Sequence, residues 1–159
     1  MTSLATFAAG CFWHVQYVFS KLPGVFSTRA GYTGGTLENP RYEDTHDGRS
    51  GHAEAVEIVF DPEHISYSEL IEEFWKLHDP TQINRQGPDV GSQYRSAIFY
   101  HNEEQKKMAE ASRYTLEQSH FFQNPIATEI VPAKTFYAAE EYHQNYVIKH
   151  GGIDLCPSP

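Results

Sequence analysis

A chain of 159 residues has the size of one ordinary domain and can bury roughly two-thirds of the surface that its unfolded form exposes. With 40% hydrophobic and 14% aromatic residues spread along its length, its composition is that of a globular domain, not of a disordered chain. The formal net charge of -9, with 12 scattered Lys and Arg, argues against a nucleic-acid partner and against an anionic membrane surface.

Leu4 to Ala9 reads as a short strand, and after Gly10 the residues Val15, Val18, Phe19 and Leu22 recur at helical spacing until Pro23-Gly24. Cys11 therefore opens a helix. Val25 to Tyr32 is β-like. Thr33 to His52 then runs through Gly34-Gly35, Asn39-Pro40, Asp47-Gly48 and Gly51 without periodicity, a long loop of the functional or disordered kind. Ala53 to Asp61 alternates, with Val56, Ile58, Phe60 and also Glu54 on one face. Ser66 with Glu69 forms a capping box for a helix ending near Asp79-Pro80, and an irregular stretch follows to about Ser92. Gln93 to Tyr100 reads as a strand, Asn102 caps a long helix, Ile126 to Val131 is a further strand, and Ala139 to Lys149 is the last helix.

These elements predict an α+β fold, a two-layer sandwich in which helices cover one mixed sheet, as a single domain over residues 1–159 with 150–159 as a flexible tail. No stretch approaches the roughly 18 apolar residues of a membrane span, and the first ten residues lack a basic signal region, which predicts a cytoplasmic location. Ala8-Ala9-Gly10-Cys11 resembles the end of a lipoprotein signal, but too few residues precede it.

Cys11 and Cys156 stand at opposite ends of the chain and do not make the disulfide framework of a small secreted domain; a redox or nucleophilic pair fits better. A cysteine between a strand and a helix N-terminus meets the helix dipole and open backbone N–H groups, both favouring the thiolate. The plainer alternative is a buried structural cysteine. Glu54, on the apolar face of its strand, should have a raised pKa and could donate a proton, unless it lies at an edge or pairs with an arginine such as Arg29 or Arg95. His46-Asp47 and the pair Glu140, His143 invite a metal reading, the latter with the Glu-x-x-His spacing of dimetal sites, but no second such pair exists, and the cysteines lack zinc spacing. Tyr137, Tyr142 and Tyr146 read as packing residues, the last two on one helical face.

Gly10-Cys11-Phe12-Trp13, Gly31-Tyr32-Thr33-Gly34-Gly35, Gly51-His52-Ala53-Glu54-Ala55-Val56 and Gly91-Ser92-Gln93-Tyr94-Arg95-Ser96, in this order, resemble the peptide methionine sulfoxide reductase A family. Glu140-Glu141-Tyr142-His143-Gln144-Asn145-Tyr146 is similar to a late motif of that family, so the resemblance covers nearly the whole chain. It implies a ferredoxin-like core and reduction of methionine S-sulfoxide, free or in proteins. In the implied site Cys11 is the attacking thiolate, Glu54 the acid, and Tyr42 and Tyr94 the hydroxyls that hold the sulfoxide oxygen. Phe12 and Trp13 would wall the methyl pocket, and Asp89 would hydrogen-bond substrate backbone or water near the acid. Cys156 would resolve the sulfenic acid of Cys11 to a disulfide that external thioredoxin or another dithiol reduces, the alternative being direct reduction of the sulfenic acid by an external thiol, with no bound cofactor and no metal. Two departures stand out: His14 replaces the Gly that many members carry after Phe-Trp, and of two tail cysteines found in some members only the outer one is matched. Two other readings remain: another thiol enzyme using His52 as base, or a module that binds Met-containing peptides without turnover.

Overall fold

The computed structural model describes residues 1–152. The strands are β1 (Ser3–Ala9), β2 (Val25–Thr33), β3 (Ala53–Phe60), β4 (Arg85–Gln86), β5 (Asp89–Val90), β6 (Ser96–Tyr100), β7 (Glu129–Pro132) and β8 (Tyr137–Ala138). The helices are α1 (Phe12–Ser20), α2 (Tyr67–Lys76), α3 (Glu103–Gln118) and α4 (Tyr146–Lys149). Six strands form one sheet in the order β7-β6-β1-β3-β2-β8, and β4 and β5 form a separate small hairpin.

The chain order β1-α1-β2-β3-α2-β6 maps onto the spatial order β6-β1-β3-β2 with every neighbouring pair antiparallel, which is the expected ferredoxin-like core. α3 then returns the chain so that β7 lies parallel to β6, making the sheet mixed.

Strand alternation decides which face takes the helices. Ala5, Phe7, Ala30, Tyr32, Val56, Ile58, Phe60 and Ile98 meet Val15 and Phe19 of α1 and Leu70, Ile71 and Phe74 of α2 in the main core. Phe7 sits at its centre, with ring centroids 5.3 Å from Phe19 and 5.2 Å from Phe74. The opposite face carries Ala8, Ala53, Ala55 and Ala97 around Phe99, and these small side chains let Val131, Ala133 and Phe136 lie close. Among the described residues no helix is long and apolar enough to cross a membrane.

Helix starts follow the sequence chemistry. Ser66 Oγ accepts the Glu69 N–H at 3.1 Å, and Asn102 Oδ1 accepts the Gln105 N–H at 2.8 Å. The predicted long loop is irregular apart from a 3-10 turn at Tyr42–Thr45.

Four expectations need correction. The predicted helix from Ala139 to Lys149 is instead a 3-10 turn, Glu141–His143, followed by the short α4, because Asn145 adopts a left-handed φ of 53° between them. Tyr142 and Tyr146 therefore do not share a helical face. β6 begins at Ser96 and not at Gln93, since Ser92–Tyr94 turn in a 3-10 conformation. β7 likewise begins at Glu129, three residues after the expected start, and the irregular stretch before Ser92 contains the β4–β5 hairpin.

Candidate active site

β1 delivers the chain to Gly10, whose φ of 91° turns it into α1 with Cys11 as N-cap. A Cβ on Gly10 would lie 2.8 Å from Cβ and Cγ of Gln86, so this turn tolerates only glycine. Gln86 cannot easily move aside: its amide accepts the Asp79 N–H and donates to the Asp79 carbonyl, each at 2.9 Å.

Cys11 is half-buried, and the next residue, Phe12, donates its backbone N–H to Glu54 Oε1 at 3.2 Å. The start of the helix and the strand carboxyl thus meet directly. Glu54 stands opposite Tyr32 in the β2–β3 register and is 1% exposed. Burial pushes its carboxyl up to about 8, the Phe12 N–H works against that rise, and the charge of Asp89 adds to it. Its other oxygen, Oε2, is buried without a hydrogen-bond partner among the described residues. Neither arginine considered as its partner reaches it, because Arg29 pairs with Glu57 at 2.7 Å and Arg95 with Glu129 at 2.8 Å.

Three short segments outside the main sheet bring the remaining polar groups. Tyr42 comes from the 3-10 turn, Asp89 from β5 and Tyr94 from the turn before β6. Tyr42 and Tyr94 are close enough that each phenol affects the ionisation of the other. Burial, then the charge of Glu54, pushes both phenols up, so each stays a proton-bearing donor; burial also raises Asp89.

Trp13 donates its indole N–H to His143 Nδ1 at 3.0 Å and stacks on Tyr146 with centroids 3.7 Å apart and planes 5° apart. Phe12 is buried, packed on Tyr32 at 5.7 Å and His143 at 5.1 Å between centroids. Cys11, Phe12, Trp13, Tyr42, Glu54, Asp89 and Tyr94 therefore converge. Cys156 lies outside the described residues. His14 donates Nε2–H to the Leu77 carbonyl at 3.1 Å, at the end of α2.

Several residues matter here that sequence reasoning missed or read otherwise. His143 and Glu140, weighed as metal ligands, serve the site's hydrogen bonds: Glu140 accepts from the Tyr32 hydroxyl at 2.8 Å and the Tyr42 N–H at 3.0 Å. Among the described residues no three His, Cys, Asp or Glu are grouped to hold a metal ion. Gln144 behaves like an added strand residue, accepting the Ala30 N–H and donating to the Ala30 carbonyl, both at 2.9 Å. The density of polar residues in Glu140 to Asn145 was the available signal. His52, the base of the alternative thiol enzyme, has both ring nitrogens committed to its own loop: Nδ1 accepts the Gly35 N–H at 3.0 Å, and Nε2–H donates to the Leu37 carbonyl at 2.7 Å. A groove of about 1000 Å³ between α2 and α3, lined by Trp75, Met108, Leu116 and Phe121, contains none of the converging residues.

A cysteine at a helix start, beside a buried carboxyl and two phenol donors, is built for thiol attack on a centre whose oxygen must be protonated. Residues 3–158 match the peptide methionine sulfoxide reductase family. The peptide methionine sulfoxide reductase MsrA of Methanothermobacter thermautotrophicus is 60% identical over 146 residues, covering 92% of this chain and 86% of that protein. Among solved structures, reduced Mxr1 from Saccharomyces cerevisiae is similar with a TM-score of 0.88 and 36% identity, over 98% of this chain and 90% of that one. Mxr1 in complex with Trx2 is similar at a TM-score of 0.64 and 28% identity, over 99% of this chain and 87% of that one. The chain belongs to the peptide methionine sulfoxide reductase family.

Proposed function

We propose that this protein reduces the S epimer of methionine sulfoxide, free or in proteins, to methionine, and that it acts as a single domain over residues 1–159 in the cytoplasm. The observation that carries the mechanism is the carboxyl of Glu54, raised to about 8 and hydrogen-bonded to the N–H that follows Cys11. Near neutral pH it holds a proton beside the nucleophile.

The Cys11 thiolate attacks the sulfoxide sulfur while Glu54 gives its proton to the oxygen, and the Tyr42 and Tyr94 hydroxyls hold that oxygen as charge builds on it. The oxygen passes to Cys11, leaving a thioether and a sulfenic acid. Trp13, fixed by His143 and Tyr146, lines the methyl pocket with Phe12 behind it. Asp89 hydrogen-bonds substrate backbone or water beside the acid.

In the recycling step the Cys156 thiol condenses with the Cys11 sulfenic acid, releasing water and forming a disulfide. Thioredoxin or a small dithiol then reduces that disulfide by exchange, so no bound cofactor is required. Support for thioredoxin comes from the similarity to Mxr1 in complex with Trx2.

Counting methionine released per chain tests these roles. Without reductant the wild type is expected to release one equivalent and C11S none. C156S is expected to complete one turnover and then stall with thioredoxin. Full turnover by C11S overturns the nucleophile, and normal multiple turnover by C156S overturns the resolving role.

A further inference from the structure

The Tyr42 hydroxyl must meet the substrate oxygen, yet Tyr42 sits in the long irregular segment between β2 and β3, where no sheet ladder holds it. Its backbone N–H is held by Glu140 Oε2 at 3.0 Å and its carbonyl by the Thr45 hydroxyl at 2.8 Å. The second oxygen of Glu140 accepts the hydroxyl of Tyr32 at 2.8 Å. Tyr32 is fully buried in the central sheet and is the register partner of Glu54. One carboxylate thus ties the loop residue to the same pair of strands that carries the acid.

We propose that Glu140 is a positioning residue for the reaction: bridging Tyr32 and the Tyr42 backbone, it aims the Tyr42 hydroxyl at the sulfoxide oxygen. The inference rests on the role given to Tyr42 above.

The surroundings suit this task. Burial alone would raise the Glu140 carboxyl, but the Tyr42 N–H, its own N–H, the Tyr32 hydroxyl and His143 together bring it below the usual range. It is therefore an ionised acceptor for both partners. Its segment is itself anchored, since the His143 N–H donates to the Glu140 carbonyl at 2.9 Å and the Gln144 amide is bonded to Ala30. From the same segment His143 packs on the Tyr42 ring at 4.6 Å between centroids. Freed from Glu140, the Tyr42 backbone can rotate, and a displacement of about 1 Å at a group in contact with the reacting atoms costs on the order of 100-fold in rate.

A double-mutant cycle on kcat, using methionine S-sulfoxide with dithiothreitol, tests the inference. E140A is expected to lower kcat by about 10- to 100-fold with a smaller change in KM. In a Y42F background, where the hydroxyl is gone, E140A should cost less than about two-fold. E140Q should recover most of the loss, because its amide oxygen can accept the Tyr42 N–H while its N–H donates to Tyr32. Y32F, which keeps the ring and removes one tether, should give an intermediate loss that Y42F also abolishes, and it serves if E140A fails to fold. Fully additive losses, or a change confined to KM, overturn the positioning role while leaving that of Tyr42 intact. An unchanged kcat in Y42F alone overturns the role of Tyr42 and this inference with it.

Discussion

Glu54 links catalysis and stability through one proton. Its carboxyl titrates at about 8 in the folded protein against 4.5 when unperturbed. If its proton is the one delivered to the sulfoxide oxygen, the chemical step should weaken as pH rises through about 8. The folded state keeps a proton that the unfolded chain releases between pH 4.5 and 8, so stability falls as pH rises across that window. Glu54→Gln should therefore lose about 100-fold or more in kcat, lose the alkaline limb set by Glu54, and yet be more stable than wild type at pH 8 and equally stable near pH 4.5. Stopped-flow single turnovers and urea unfolding across this range check the three outcomes together; a stable but fully active variant would remove Glu54 from the mechanism. Strand phase made Glu54 visible in the sequence, but it left an ion pair with Arg29 or Arg95 equally open, and only the cross-strand partner Glu57 and the neighbour Glu129 explain why those arginines are engaged elsewhere. Glu140 was not legible as a partner of Tyr32, because 108 positions separate them and no local pattern joins two groups so distant in the chain.

Elements with strong local chemistry were read well. The capping box at Ser66, the Asn102 cap and the β3 alternation each carry their own physical signal, and the structure has all three. Two-residue strands such as β4, β5 and β8 are too short to show a period, and the last predicted helix fails because Gln144 bonds to the backbone of Ala30 while Asn145 turns left-handed. The turn that presents Cys11 yields a prediction at this scale. Gly10→Ala combines a left-handed backbone with contacts of 2.8 Å to a Gln86 side chain that is itself pinned to Asp79. It should destabilise the protein by about 2–3 kcal/mol and lower Tm by roughly 5–10 °C, with kcat reduced because Cys11 shifts. A thermal melt within 1 °C of wild type, on an approximate scale where 1 kcal/mol moves a domain of this size by about 2–4 °C, would show that the turn relaxes at no cost.

Across the whole molecule, the alternation of strands and helices indicated an α+β sandwich, whereas strand order depended on tertiary pairing and could not be read from periodicity. A buried polar chain joins its far edge: His78, at the end of α2, bonds the Phe74 carbonyl at 2.8 Å and Ser96 of β6 at 2.7 Å, and Ser96 meets Thr128 at 2.8 Å. Burial lowers His78 to about 4 from 6.5. With its folded value depressed, its stabilising contribution is complete above pH 6.5 and is lost as pH falls from 6.5 to about 4, in total about 3 kcal/mol. Glu54 acts in the opposite direction above pH 4.5, so the effect of His78 is best read as the difference in urea stability between wild type and His78→Gln at pH 7 and pH 4. That difference should shrink markedly at pH 4; a difference independent of pH would show that His78 is not held neutral.

The central claim is tested most directly by steady-state reduction of the two separated methionine sulfoxide epimers, each with dithiothreitol and then with thioredoxin, following the methionine released. The account predicts turnover of the S epimer with both reductants and none of the R epimer. Reduction of the R epimer at a comparable rate, or of neither epimer, would contradict it.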